Sequence, residues 1–292
     1  MTATITPVSQ HDSATLTRAV AGERMMMDGG ASPLATILQK FADRCDFARD
    51  AAIGGLSWSG DFSVAGSAAN NFTVTLGAIN SAVILLGSTY KTFSSSGATP
   101  GQTKVEGGGG TLGAVARWWY VYAYSNAGTL DYEISQTAPH ASRKFKSGDF
   151  TRLYLGCFPT LSTGVPIPLR AARGRYVYRS SASAAADTRV LNAGSATANT
   201  AVDCAALVPP HSRLATIRAQ LTSTAAAFNY AYLRTEGESG ADEHLIPLPN
   251  LNTADAVYVA DIETDADQDI AYRVTNVSSA PSLSLWVAGF YE

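Results

Sequence analysis

Arg117-Trp118-Trp119-Tyr120-Val121-Tyr122-Ala123-Tyr124-Ser125-Asn126-Ala127-Gly128, running into Thr129 to Ser135, decides the fold class. Trp118, Tyr120, Tyr122 and Tyr124 alternate with Val121 and Ala123, the period of an extended strand whose side chains point to opposite faces. Ser125 to Gly128 is a turn signal, and Thr129 to Ser135 returns as the hairpin partner. The same pattern recurs outward from this point. Phe72, Val74 and Leu76 alternate before it. Beyond it, strands are expected at 175–180, 188–191, 200–207, 213–222, 227–234, 256–263, 269–276 and 282–290. Eight strands at roughly even spacing predict a β-sandwich or jelly roll. No repeat of 20–50 residues is visible, which disfavours a propeller or β-helix. The segment 94–114, with its Gly107–Gly110 run, reads as a loop.

Only the first fifty or so residues have helical character. Ser32 is a candidate N-cap with Pro33 at the first helical position. Leu34, Leu38, Phe41, Cys45 and Ala48 then follow heptad spacing. Gly54-Gly55 would end a helix of about 20 residues and about 30 Å. An apolar stripe without a core of its own needs a partner surface, so these five residues are the candidate oligomerisation seam, with a lone amphipathic helix lying on a sheet as the alternative. The expected organisation is mainly β: a short helical segment over residues 1–55, a β domain over 56–170 and a sandwich or jelly-roll domain over 171–292. Pro166, Pro168 and the small residues after them suggest the second boundary.

Composition narrows the functional classes. Charged residues make up 15% of the 292-residue chain and hydrophobic residues 46%. The charged share is well below the roughly 25% usual for soluble domains, which suits a surface buried against copies or partners. A net charge of −3 with no basic stripe argues against nucleic-acid binding. No run approaches the roughly 18 apolar residues of a membrane-spanning helix. The first residues lack the basic and apolar regions of a secretion signal, so synthesis and folding in a cytoplasm are expected. Cys45, Cys157 and Cys204 are too scattered for a metal or disulfide framework and are expected to be free thiols.

Candidate chemistry is sparse. His11, His140, His211 and His244 show no metal-ligand spacing. Gly55-Leu56-Ser57-Trp58-Ser59-Gly60 misses the nucleophile-elbow pattern by one residue. Asp261, Glu263, Asp265, Asp267 and Asp269 alternate, so their carboxylates are a candidate Ca²⁺ site. The pattern lacks the glycine and the distant glutamate of a calcium loop, and a solvated acidic hairpin tip is the favoured reading. Trp118, Tyr120, Tyr122 and Tyr124 are a candidate sugar-stacking platform, weighed against the sheet core that such rows more often form.

The Trp118 hairpin continues through Ser135-Gln136-Thr137-Ala138-Pro139, a Lys146-Ser147-Gly148-Asp149 turn and Arg152-Leu153-Tyr154-Leu155-Gly156. This run resembles a module of tail-fibre and other structural proteins of tailed bacteriophages. Leu285 to Phe290 is similar to the terminal strands of phage β-sandwich proteins. The resemblance implies a virion structural protein made in the host cytoplasm. It would be homotrimeric and attached to other tail, baseplate or capsid proteins, with no catalytic residues to carry over. The alternatives are a receptor-binding fibre tip for a host glycan or protein and, more remotely, a capsule depolymerase.

Overall fold

The computed structural model describes residues 56–86, 89–172, 174–179, 187–223, 229–238, 244–248, 254–275 and 281–292. Nineteen named strands run in chain order. They are β1 (Leu56–Trp58), β2 (Phe62–Ala68), β3 (Asn71–Leu76), β4 (Ile79–Leu86), β5 (Thr89–Ser95), β6 (Arg117–Asn126) and β7 (Thr129–Ser135). Next come β8 (Phe145–Lys146), β9 (Asp149–Thr160), β10 (Leu169–Ala172), β11 (Arg175–Tyr178), β12 (Arg189–Gly194) and β13 (Thr200–Asp203). The last are β14 (Leu214–Ser223), β15 (Asn229–Thr235), β16 (His244–Leu248), β17 (Ala254–Glu263), β18 (Asp269–Val274) and β19 (Ser282–Tyr291). The helical segment expected over residues 1–55, with Leu34, Leu38, Phe41, Cys45 and Ala48, lies outside the described residues.

These strands build several antiparallel sheets. The largest has the order β17-β14-β19-β11-β10-β2-β3, with β12 also pairing β19. Two four-stranded sheets have the orders β7-β6-β9-β8 and β13-β18-β15-β16, and a three-stranded one runs β1-β4-β5. The Trp118 hairpin forms as expected, with Tyr120 opposite Ser135 and Asn126 opposite Thr129. Its two-residue loop has Ala127 at φ 49° and Gly128 at φ 87°, the primed turn that matches strand twist. Lys146-Ser147-Gly148-Asp149 turns β8 into β9, with Gly148 at φ 78°.

Alternation explains the core of the large sheet. Phe62 and Val64, Phe72, Val74 and Leu76, Leu169 and Ala171, Tyr176 and Tyr178 are all buried, and their intervening neighbours mostly face solvent. Phe72 meets Phe158 of β9 at 6.2 Å between ring centroids, and Trp118 of β6 meets Phe290 edge-on at 5.5 Å. The β6–β9 sheet therefore packs on the β2–β19 part of the large sheet. Because β4 lies against its other side, Trp119 to Ala123 are buried on both faces of β6.

The division expected after residue 170 falls inside β10. Leu169 to Ala171 pair with β2, Leu169 to Ala172 pair with β11, and residues 54–292 form one compact unit. The prolines that suggested a linker sit in a tight return from β9. Leu161 N–H bonds the Val165 carbonyl, Gly164 turns at φ 79°, and Ile167 N–H bonds the Pro159 carbonyl. The 94–114 loop is fastened to β3 by backbone bonds from Val74 to Pro100 and from Leu76 to Ala98, and Leu112 is buried.

Candidate functional site

A β-bulge creates the most concentrated chemistry among the described residues. Along β6 and β9, Val121 pairs with Gly156 and Tyr122 with Tyr154, so Leu155 is the extra residue. Residues three apart normally point to opposite faces of a strand; the bulge brings Tyr154 and Cys157 onto the same one. They meet Glu292, which follows β19 and whose N–H bonds the Gly174 carbonyl at 2.9 Å. One carboxylate oxygen, Oε1, accepts from Tyr154 Oη at 2.6 Å, His211 Nε2 at 2.6 Å and Cys157 Sγ at 3.1 Å. The other, Oε2, accepts from Tyr176 Oη at 2.9 Å. A carboxylate only accepts, so Nε2 of His211 carries the hydrogen. His211 is placed by the turn after Pro209-Pro210, where Ser212 N–H bonds the Pro209 carbonyl and the Arg143 guanidinium donates to the His211 carbonyl.

Electrostatics follow from this geometry. Burial alone pushes the Glu292 carboxyl upward, but the hydrogen bond and charge of His211, with the bonds from Tyr154 and Cys157, outweigh it and hold the group below its ordinary range. Burial first, and then the negative charge of Glu292, push the Cys157 thiol well up. A sulfur nucleophile acts as the thiolate, so this one is held in its inert form. The ligand atoms of Cys157, His211 and Glu292 lie within 4.8 Å of one another, a donor set that suits zinc. Zinc bonds of about 2.0–2.3 Å would spread the ligands further than the 2.6 Å between Nε2 and Oε1. The spacing is that of a hydrogen-bonded carboxylate joining β9, β11, β19 and the His211 turn.

The four aromatics of the β6 row divide: Tyr120 and Tyr122 belong to the sheet core, and Trp118 and Tyr124 are half-buried. Tyr120 and Tyr122 are buried, and Tyr122 Oη donates to the Thr137 carbonyl at 2.7 Å. Trp118 Nε1 donates to the Ala205 carbonyl at 2.9 Å. Tyr124 lies at the edge, with its hydroxyl 3.3 Å from Asp131 and the Arg152 guanidinium 4.0 Å over its ring. A charged network continues from there. Lys146 Nζ reaches Glu106 at 2.7 Å and Glu133 at 2.6 Å, and Arg152 joins Glu133 at 2.9 Å.

The acidic row is split in two. Asp261 lies on the outer face of β17, where Thr216 and Tyr291 hydroxyls donate to it at 2.6 and 3.1 Å, and Glu263 is exposed on the same face. The alternation runs on through buried Thr264 and ends in the turn at exposed Ala266. Asp265 Oδ1 then accepts the N–H groups of Asp267 and Asp269 at 2.9 and 2.8 Å, closing the β17–β18 turn. Burial, followed by Asp265, Asp203, Asp267 and Glu236, raises the Asp269 carboxyl. Asp261 is thus bonded on the outer face of β17, whereas Asp265 is spent on the turn. Cys157 and Cys204 are free and buried, and Cys45 lies outside the described residues.

A second feature had no sequence signal: the outer face of the large sheet at β10 and β11. Arg170 stands opposite Val177, and Arg175 and Val177 alternate with buried Tyr176 and Tyr178. Arg179 N–H bonds the Pro168 carbonyl and continues the ladder. Arg170, Arg175, Val177 and Arg179 are all exposed. A groove of about 450 Å³ runs beside them between β2, β3 and β10, with Arg170, Arg179, Ser63, Thr75, Pro168 and Asp61 on its walls. Among the described residues none of the three arginines forms a salt bridge; Arg175 lies 5.7 Å from the Tyr291 ring.

Fold and site together define a mainly β protein of several antiparallel sheets, closed internally by a buried carboxylate and carrying an arginine-lined groove outside. Compared with protein-family models and with curated proteins, the chain matches none. Among the described residues no helix is long and apolar enough to cross a membrane.

Proposed function

We propose that the chain is a non-enzymatic structural component of a tailed-phage virion, in its tail fibre, baseplate or capsid surface. Residues 1–55 attach and trimerise it, and its β sheets project outward as a sandwich. The observation that carries this reading is that the phage-like run folds as one piece of sheet, with a structural task for each part. The Trp118 strand is the central β6, its hairpin partner is β7, and Arg152 to Gly156 lie in β9. The Ser135–Pro139 stretch receives the Tyr122 hydroxyl on Thr137 and the Ser147 N–H on Ala138. Support for the sandwich comes from two buried faces. Ala215, Ile217, Ala219 and Leu221 line one; Ala231, Leu233, Ile270, Tyr272 and Val274 line the other.

A depolymerase is the weaker reading. Glycoside hydrolysis uses a pair of facing carboxylates, and Asp61 is the one carboxylate on the walls of the groove. Cys157 is buried, and the Sγ of Cys157 and the Nε2 of His211 are both turned onto the Glu292 carboxylate. A receptor-binding tip remains as a second reading because the arginine face is exposed, grooved and, among the described residues, without a salt bridge. The test is incorporation of a chain lacking residues 1–55. The truncated protein is expected to stay soluble and β-rich yet be missing from purified particles. Incorporation at the normal level would refute N-terminal attachment.

A further inference from the structure

We infer that the face formed by Arg170, Arg175 and Arg179 binds an acidic, carboxylate-bearing polysaccharide, an inference that rests on the receptor-binding reading above. Arg175 and Arg179 are four residues apart on one extended segment, about 13 Å at 3.3 Å per residue. Arg170 stands between them on β10, opposite Val177. Each guanidinium offers a planar fork matched to a carboxylate, and among the described residues none forms a salt bridge. The low charge of the chain makes three arginines on one exposed face, none of them salt-bridged among the described residues, a local excess that a bound anion would compensate.

The surroundings specify what kind of anion fits. Asp61 borders the arginines on the groove side, and Asp261 and Glu263 occupy the same outer face on β17, with Asp261 four strands and about 19 Å from Arg170. Duplex DNA carries one charge per roughly 1.7 Å and needs a long, unbroken basic stripe; here it would run onto carboxylates at either side. A polysaccharide with carboxylates spaced along neutral sugars places charge on the arginines and hydroxyls elsewhere. The groove volume of about 450 Å³ lies within the range of small-ligand sites, roughly 300–1,000 Å³. Ser63 and Thr75 hydroxyls and the Asp61 carboxylate on its walls suit sugar hydroxyls, and the Pro168 ring suits the apolar face of a sugar. A repeating chain engages several arginines at once, so affinity comes from multiple weak contacts.

The test uses the full chain with polygalacturonate as the carboxylated polymer, dextran as the neutral one and duplex DNA as the dense polyanion, followed by calorimetry at low salt. Polygalacturonate is expected to bind, with affinity falling as salt rises, and dextran and DNA to bind at least tenfold more weakly. R170Q/R179Q should weaken polygalacturonate at least tenfold with an unchanged melting temperature, since both side chains are exposed; R170K/R179K should lose less. Absence of polygalacturonate binding, equal binding by the glutamine variant, or equal binding of dextran or DNA would overturn the inference. Virion incorporation of the glutamine variant separates the two claims. A variant that loses the polymer but still joins particles leaves the structural reading intact.

Discussion

At Glu292 two opposing effects meet, and the hydrogen bonds win. A desolvated carboxylate is costly, yet four donors reach its two oxygens. Its folded-state affinity for protons is depressed, so its contribution to stability is present above the ordinary glutamate value near 4.5 and is lost as pH falls through the lower folded value. E292Q keeps an acceptor but loses the charge. It should cost about 2–4 kcal/mol at pH 7 in denaturant melts, and the gap to the native chain should narrow as pH falls below 4.5. A gap that stays constant with pH would contradict the assignment. Ala127 poses the reverse case, a Cβ at φ 49° in a turn that favours asparagine followed by glycine. A127N should raise stability by about 0.5–1 kcal/mol, measured as a higher denaturation midpoint with an unchanged slope.

Among the elements, β9 does most of the organising. Its bulge at Leu155 aims Tyr154 and Cys157 at one carboxylate, and its Gly156 lets the sheets approach closely. A Cβ on Gly156 would stand 2.8 Å from Tyr176 Oη and 3.0 Å from the Phe62 ring. Tyr176 cannot yield freely because its hydroxyl is fixed on Glu292. G156A should therefore cost about 1–3 kcal/mol by overpacking, read as a lower thermal midpoint, with the loss reduced in a Y176F background. The strands themselves were largely legible from alternation. All eight expected beyond residue 174 are present as β11 to β15 and β17 to β19, with ends shifted by a few residues. β16 was not among the expected strands; its Pro247 is tolerated because β16 is the edge of its sheet.

For the whole molecule, what was legible is what depends on neighbours in sequence, and what was hidden depends on distant pairing. Hairpins and turns announced themselves. The shared eight-stranded sheet did not, because β2 and β10 are joined by pairing across about a hundred residues of chain and the prolines between β9 and β10 imitate a linker. The buried cluster was equally hidden. His211 and Cys157 lie 81 and 135 residues from Glu292, and no spacing rule joins them. The arginine face was invisible for the same reason, since Arg170 and Arg175 become neighbours only through the β10–β11 ladder. The central claim, that this chain is built into a virion, is tested most directly by quantitative mass spectrometry of density-purified particles. The account predicts a constant number of copies per particle, divisible by three. Abundant protein in the lysate with none in the particles would contradict it.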